Sequence, residues 1–352
     1  MTRRFKTKST VLAVLALGMS GALAGCGGSS DITNASATPS GGSGGDAQLS
    51  LVAYSTPKKA YDALTAAYAQ TAEGKSVTFS TSFGSSGSQS RAVASGQPAD
   101  VVNFSTESDI SRVEKAGLIS SSWDANQYKG IVSDSLVVMV VRKGNPKHIT
   151  GWSDLIKPGI SVVTPNPSTS GSARWNIMAA YGAQLKLGKS PSQALAYVKT
   201  LITKNVSVED PSGSTAMETF TGGKGDVLLS YESEALAAQK AGEQIQIVRP
   251  AQTILIQTPI AVINKSSQRG AAQAFVNWLW SSAAQTIWAQ QGYRPVVQSV
   301  AKRFASQFPT PPQLFTIDSL GGWSKVKDTF FAPSTGEITK IEQQAGFPTA
   351  AS

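Results

Sequence analysis

The sequence predicts an α/β protein of two lobes with a ligand cleft between them. Short runs rich in Val, Ile and Leu alternate with amphipathic stretches from residue 49 to residue 262, without an internal repeat. Such apolar strands indicate sheets covered on both faces, which favours mainly parallel pairing. Two runs, Ser135–Lys143 and Ile254–Asn264, are longer than their neighbours. Strands of that length can pass from one lobe to the other.

The strands and helices follow from the same alternation. A longer helix is expected at Gly270–Gln290, and Thr56 and Pro57 suit the N-cap and first position of the first helix. Strands are predicted at Leu51–Tyr54, Val77–Ser80, Val101–Phe104, Leu136–Val141, Ser161–Thr164, Val206–Glu209, Val227–Tyr231, Ile245–Val248 and Ile254–Val262. The other helices are predicted at Pro57–Gln70, Ser88–Ser95, Ile110–Ala116, Ala173–Leu187, Ser192–Lys204, Thr215–Thr221 and Ser233–Ala241.

Length and composition limit the function classes. A chain of 352 residues can hold two domains with proper cores, and 41% hydrophobic residues are too many for a disordered protein. One cysteine and one histidine cannot build a zinc or iron–sulfur centre, so neither a metal nor another cofactor is expected. The Lys and Arg residues are scattered, which argues against a nucleic-acid partner.

The first 25 residues have the layout of a secretory signal peptide. Four basic residues precede the apolar stretch Val11–Ala24, which is too short to span a bilayer. Small residues before Cys26 resemble a bacterial lipobox, so Cys26 is expected to carry a lipid; an ordinary signal peptide is the alternative. Residues 26–47 are rich in Gly and Ser and are expected to form a flexible tether. Removing the signal leaves 31 − 4 = 27 basic and 22 acidic residues, a net charge of +5.

The body is expected to divide into lobe 1, residues 48–141 plus 259–352, and lobe 2, residues 142–258. Four loops within it, at 55–57, 81–89, 165–174 and 210–215, follow predicted strands and open predicted helices. Open α/β sheets bind ligands at the carboxyl ends of their strands. The first N–H groups of a helix and the positive end of its dipole attract anions. Four such loops converging on one point predict an oxyanion site.

The run Thr164–Asn176 closely resembles the signature of the prokaryotic sulfate-binding proteins, the solute receptors of sulfate/thiosulfate ABC importers. That signature reads Asn-Pro-Lys-Ser/Thr-Ser-Gly-x-Ala-Arg, and this chain has Ser168 in place of Lys. The resemblance covers nearly all of residues 50–332, because further stretches agree in order at 142–147, 152–159, 225–228, 293–295 and 315–318.

The resemblance implies a two-lobe type II periplasmic-binding-protein fold and a buried sulfate held by neutral donors. Relatives often carry Trp where this chain has Tyr231, and a tyrosine hydroxyl differs in reach from an indole N–H. Carried over by position, the donors would be the N–H groups of Thr56, Ser86, Gly171, Ser172 and Gly213, the hydroxyl of Ser170 and a group at Tyr231.

These observations predict a monomeric, lipid-anchored receptor on the extracytoplasmic face of the cell membrane. It would capture sulfate or thiosulfate and deliver it to the permease and ATPase subunits of an ABC importer, without a chemical step. A phosphate or molybdate receptor is the alternative, favoured if Asp210 or Glu232 points into the cleft. A remote alternative is an exported serine hydrolase that uses Ser86 or Ser170 with His148, which is otherwise expected to be a surface residue.

Overall fold

The computed structural model describes residues 47–350, in which ten strands form one mixed sheet. The predicted signal peptide and Cys26 lie outside the described residues, and so does the predicted tether except for Ala47. The strands are β1 Ala47–Tyr54, β2 Val77–Gly84, β3 Val101–Asn103, β4 Ile131–Arg142, β5 Val162–Pro165, β6 Val206–Asp210, β7 Val227–Tyr231, β8 Ile245–Val248, β9 Gln252–Val262 and β10 Gln313–Phe315.

Helices follow most of these strands and cover the sheet. No helix within residues 47–350 combines the length and the apolar character needed to cross a bilayer. The helices are α1 Lys58–Tyr68, α2 Ser86–Ala94, α3 Glu107–Lys115, α4 Gly171–Lys186, α5 Pro191–Thr200, α6 Gly213–Thr221, α7 Glu232–Lys240, α8 Arg269–Trp278, α9 Ser282–Gln290, α10 Gln298–Arg303, α11 Gly322–Phe330 and α12 Glu337–Ala345.

The sheet runs in the order β2-β1-β3-β9-β4-β7-β5-β6, with β10 beside β9 and β8 beside β4. β1 pairs with β2 and β3 in parallel, and β5 pairs with β6 and β7 in parallel. β9 is antiparallel to β3 and β4, and β4 is antiparallel to β7 and β8. β9 also pairs with β10 in parallel, so five of the nine strand pairs within residues 47–350 are parallel. The expectation of mainly parallel pairing holds narrowly, because the centre of the sheet is antiparallel. Each parallel group is built from strand–helix–strand units, whereas β4 and β9 run against their neighbours at the centre.

β4 and β9 connect the two parallel groups, and both are long. Residues 131–136 of β4 lie along β9, whereas residues 137–142 lie between β7 and β8. Residues 260–262 of β9 pair with β3, and residues 252–254 pair with β10. The division into lobes at residues 141 and 259 remains a prediction, which these two continuous strands support.

The core is formed by strands packed against apolar helix faces. Leu51 of β1 and Leu64 of α1 pack with Phe275 of α8 and Trp288 of α9. A second cluster surrounds α4, which is buried on every side from its first residue to Gln184. Each large side chain buried in this way stabilises the fold by roughly 1.5–3 kcal/mol. The cores hold in place the loops that precede α1 and α4.

The C-terminal segment packs on α4. The Trp323 ring of α11 meets the Trp175 ring edge-on, with 4.6 Å between centroids, and Phe330 meets Tyr181 at 4.9 Å. The predicted lobe division groups this segment with lobe 1 but α4 with lobe 2. The contacts support moving residues 313–347 to the side of α4.

Two local expectations differ from the structure. The long helix predicted at Gly270–Gln290 is two helices, because Trp280 turns away to donate from its indole to the Ile131 carbonyl at 2.7 Å. The Ser281 hydroxyl then caps α9 by accepting from the Ala284 N–H at 3.2 Å.

The predicted N-cap at Thr56 is wrong: α1 begins one residue later, after Pro57, without a side-chain cap.

Candidate functional site

The loops that follow β2, β5 and β6 touch one another. The Pro211 carbonyl accepts hydrogen bonds from the Ser85 hydroxyl at 2.6 Å and the Thr169 hydroxyl at 2.8 Å. The Gly87 N–H donates to the Thr169 carbonyl at 3.0 Å. Three of the four loops singled out in the sequence therefore meet, and they do so at the N-terminal ends of α2, α4 and α6.

The fourth loop, after β1, brings Thr56 next to the point where the other three loops meet. A Cβ atom on Gly213 would lie 3.2 Å from Thr56 Cγ2 and only 2.9 Å from the Ser172 hydroxyl oxygen. That spacing is too close for a side-chain carbon, so the absence of a side chain at residue 213 lets the two loops approach. The structure thus brings Thr56, Ser172 and Gly213 together.

Gly171 and Tyr231 are linked through Ser105, which follows β3. A Cβ atom on Gly171 would lie 2.6 Å from Ser105 Oγ, and Ser105 Oγ lies 2.6 Å from the Tyr231 hydroxyl oxygen. Ser105 was not among the predicted site residues. A signal was present, because Ser105 and Thr106 follow a predicted strand and precede a predicted helix, as the other four loops do.

Five backbone N–H groups where these loops meet have no hydrogen-bond partner in the described part of the chain. Among residues 47–350 the five N–H groups predicted as donors make no hydrogen bond to another group of the protein. Four of these residues are buried, and a buried unpaired N–H is rare in a folded protein. An anion that accepts several hydrogen bonds would satisfy them. The five residues are Thr56, Ser86, Gly171, Ser172 and Gly213.

The serine hydroxyls of the site differ in whether they can still donate a hydrogen bond to a ligand. Ser170 and Ser172 hold their hydroxyl oxygens 2.7 Å apart, so the pair uses one of its two protons internally and keeps one. Ser86 instead donates its hydroxyl to the Asp109 carboxylate at 2.6 Å and accepts from the Ser105 N–H at 2.9 Å. Ser86 can therefore offer a ligand only its N–H, whereas the Ser170–Ser172 pair can offer a hydroxyl.

Three tyrosines close one side of the site. The Tyr54 and Tyr231 rings have centroids 6.4 Å apart, and the Tyr293 hydroxyl lies 3.5 Å from the Thr56 hydroxyl oxygen. Burial raises the pKa of each of the three hydroxyls above its usual value. They therefore stay protonated at neutral pH and add no negative charge beside an anion.

Charge is balanced behind the helix ends by Asp109 and arginines. Arg112 pairs with Asp109 at 2.9 Å, and Arg174 donates from Nε to the Pro167 carbonyl at 3.1 Å. Burial works against the ionised form of Asp109, but Arg174, Arg112 and the Ser86 hydroxyl hold its pKa below the usual value. Asp109 is therefore ionised, and the arginines leave a surplus of positive charge beside α4.

The two carboxylates proposed as phosphate acceptors bond to groups outside the converging loops, although Asp210 Oδ2 is buried without a hydrogen-bond partner among the described residues. Asp210 accepts from the Thr219 hydroxyl at 3.1 Å, and Thr219 lies six residues, about 9 Å, along α6 from its N-terminal residue. Glu232 is fully buried and pairs with Arg249 and Arg294, each at 2.6 Å. Neither carboxylate is directed by these bonds toward Gly213.

Glu234 borders the site instead. Its carboxylate accepts from the Ser230 hydroxyl at 2.6 Å, and Oε2 would lie 3.4 Å from a Cβ atom on Gly213. Burial raises the pKa of Glu234 to about 7. Nothing in the sequence singles out this residue, because an acidic side chain in the first turn of a helix is common.

His148 lies away from these loops. It is exposed in a turn after β4, whose last residues pair with the first residues of β7. Tyr231 is at the other end of β7, about 13 Å along the strand. The hydroxyls of Ser86 and Ser170 are bonded to Asp109 and Ser172, so the arrangement does not support a serine–histidine pair.

The part of the chain that the structure describes contains no group of three or more His, Cys, Asp or Glu side chains placed to hold a metal ion. The groups predicted to contact a ligand are N–H and O–H donors at helix ends, and the Glu234 carboxylate lies beside them. Such donors bind an anion through hydrogen bonds and the helix dipoles.

Comparison with known proteins agrees with this chemistry. The family described as bacterial extracellular solute-binding protein matches residues 49–294. The chain is 39% identical to the sulfate-binding protein of Synechococcus elongatus, over 91% of this chain and 92% of the relative. It is 37% identical to the sulfate-binding protein of Escherichia coli, over 82% and 91% respectively.

Solved structures of other proteins have a similar fold. The sulfate-binding protein SubI from Mycobacterium tuberculosis superposes with a TM-score of 0.79 at 46% identity, over 80% of this chain and 98% of that one. The periplasmic binding protein AfuA from Actinobacillus pleuropneumoniae shares the fold, with a TM-score of 0.63 at 16% identity, over 86% and 99%. The predicted periplasmic-binding-protein fold is confirmed. The chain thus belongs to the family of bacterial extracellular solute-binding proteins, and sulfate-binding proteins are among its relatives.

Proposed function

We propose that this chain captures sulfate, and thiosulfate as a second substrate, outside the cytoplasm and delivers it to an ABC importer. The observation that carries the proposal is the convergence of five unpaired N–H groups at the N-terminal ends of α1, α2, α4 and α6. The relatives named as sulfate-binding and thiosulfate-binding proteins support the choice of anion.

The donor set suits a fully ionised oxyanion. Sulfate carries no proton at neutral pH, so it only accepts hydrogen bonds. Monohydrogen phosphate carries a proton that needs an acceptor, and a buried polar group left unpaired costs roughly 1–3 kcal/mol. Both oxygens of Glu232 are paired with arginines, so Glu232 does not supply that acceptor, and the one hydrogen bond of Asp210 directs its carboxylate toward Thr219.

Titration calorimetry with sulfate, thiosulfate, molybdate and phosphate tests the proposal. We expect tight binding of sulfate with a stoichiometry of one and much weaker binding of phosphate. A chain with both Ser170→Ala and Gly213→Ala should lose sulfate binding, whereas the exposed substitution Ser282→Ala should not change it. Tight phosphate binding without sulfate binding would show that the anion is wrongly assigned.

Glu234 gives one reason to keep phosphate as a second candidate. An ionised carboxylate beside Gly213 could accept the proton of monohydrogen phosphate. In that case phosphate affinity would rise as the pH passes 7, and Glu234→Gln would abolish it. Glu243→Gln, an exposed substitution after α7, is the matched control and should leave phosphate binding unchanged.

The proposal includes closure around the anion without a chemical step. The bond from Ser85 to the Pro211 carbonyl and the bond from the Gly87 N–H to the Thr169 carbonyl join loops that the predicted division assigns to different lobes. Such contacts stabilise a closed state, and hinge closure is a common way to enclose a ligand. Radius of gyration from solution X-ray scattering should fall on addition of sulfate.

Anchoring through a lipid on Cys26 is part of the proposed function. The small residues before Cys26 and the Gly/Ser-rich segment after it support a lipid anchor followed by a tether. In cells grown with radiolabelled palmitate, the protein should take up label and sediment with membranes. Cys26→Ser should remove both properties; label retained by that variant would contradict the anchor.

A further inference from the structure

Ser105 lies where three predicted site residues meet. Its N–H donates to Ser86 Oγ at 2.9 Å, and its carbonyl accepts from the Trp175 indole at 2.8 Å. Its hydroxyl oxygen lies 2.6 Å from the Tyr231 hydroxyl and would lie 2.6 Å from a Cβ atom on Gly171. Ser105 is therefore held rigidly between the N-terminal ends of α2 and α4, next to N–H groups proposed to hold the anion.

The Ser105–Tyr231 pair has two hydroxyl protons and uses one of them internally. One oxygen must donate to the other across 2.6 Å, and the second proton is left to point elsewhere. Both residues are essentially unexposed, so water does not supply an acceptor from bulk solvent. A buried hydroxyl proton without an acceptor is unfavourable, which makes an anion beside Gly171 its natural partner.

The direction of the internal bond follows from acidity. A phenol is the stronger donor and an aliphatic alcohol the stronger acceptor, so Tyr231 donates to Ser105. Among charged groups, Glu234 and Asp109 both disfavour an ionised Tyr231, and burial raises its pKa further. Tyr231 therefore keeps its proton, and the Ser105 proton is the one that remains for the ligand.

We infer that Ser105 donates its hydroxyl directly to the bound anion and that Tyr231 is a positioning residue that acts through Ser105. The inference rests on the proposed capture of an oxyanion. It reassigns the side-chain contact that the sequence placed at residue 231, because the tyrosine hydroxyl is already bonded to Ser105. It also explains how a site with Tyr at this position can still present a hydroxyl beside Gly171.

A double-mutant cycle measured by sulfate titration tests the inference. Ser105→Ala should weaken sulfate binding by about tenfold or more, because a donor to a charged group is lost. Tyr231→Phe should weaken it by a smaller factor, and the double variant should match Ser105→Ala. Ser105→Thr should retain most of the affinity. Ser121→Ala and Tyr68→Phe, an exposed serine and a buried tyrosine without a hydroxyl partner, are the controls.

The outcomes separate this inference from the proposed function. Failure of the unmodified chain to bind sulfate would contradict both. Sulfate binding that survives Ser105→Ala, a larger loss in Tyr231→Phe, or additive losses would contradict only the role of Ser105. A sulfate-bound crystal structure of the unmodified chain gives an answer independent of variant folding. Ser105 Oγ should lie about 2.7 Å from a sulfate oxygen; Tyr231 in that place would overturn the inference.

Discussion

The Asp109 carboxylate accepts a 2.6 Å hydrogen bond from the Ser86 hydroxyl. Asp109 lies in α3 and Ser86 opens α2, so this bond fixes the end of α2 that faces the site. The same carboxylate pairs with Arg112 and is influenced by Arg174. Asp109 therefore links the position of a backbone donor to the charge balance behind it.

The first prediction concerns this buried carboxylate. Asp109→Ala leaves Arg112 and Arg174 without their common counter-charge, so we expect unfolding in urea to show a loss of about 3–5 kcal/mol. Asp62→Ala removes an exposed i,i+4 pair with Lys58 and should cost at most about 1 kcal/mol. Equal losses in the two variants would contradict the central position given to Asp109.

The second prediction concerns the hydroxyl at Ser170. Ser170→Ala removes the hydroxyl predicted to donate to the anion and leaves the buried Ser172 hydroxyl without its partner. We expect sulfate binding to weaken by roughly 1–3 kcal/mol in titration calorimetry, with little change in melting temperature. Ser282→Ala on the exposed face of α9 serves as control. Unchanged affinity in Ser170→Ala would mean that the site lies elsewhere.

The third prediction concerns the close approach at Gly171. Its Cα has space for hydrogen but not for a methyl group, since a Cβ atom would lie 2.6 Å from Ser105 Oγ and 2.7 Å from Ser105 Cβ. Gly171→Ala should therefore displace Ser105, weaken sulfate binding and destabilise the fold by about 1–3 kcal/mol. Gly270→Ala, in α8 with open space around it, should be neutral or stabilising.

The fourth prediction concerns the pH dependence of stability. Glu209 of β6 and Glu342 of α12 form a buried carboxyl pair, and burial raises the pKa of both above the usual 4.5. Protons bind more tightly in the folded state, so the stability from this pair is fully present below pH 4.5. It is lost as the pH rises through the raised pKa values.

Melting temperatures between pH 5 and pH 9 measure this effect. Glu342→Gln should reduce the loss of stability at alkaline pH, because the neutral amide replaces a carboxyl that must ionise. Glu337→Gln, on the same helix but half-exposed in a pair with Lys340, should follow the unmodified chain. A Glu342→Gln variant that loses stability as steeply as the unmodified chain would show that the pair does not control it.

The sequence by itself determined the alternation of strands and helices, the two long central strands and the helix-opening loops. Each depends on neighbours within a few residues: apolar periodicity, β-branched runs, and Gly or Ser at helix starts. The seven ligand positions are those that the family resemblance implies, and the structure brings them into one region. Their individual contacts with an anion remain predictions.

Tertiary structure decided what local patterns do not encode. Antiparallel pairing of β4 and β9, and the packing of Trp323 on Trp175, depend on contacts between residues far apart in the chain. The partner of Tyr231 is Ser105, 126 residues away, and only their 2.6 Å separation shows that one hydroxyl is engaged by the other. Donor types are set by residue identity, but which donors remain free is set by three-dimensional neighbours.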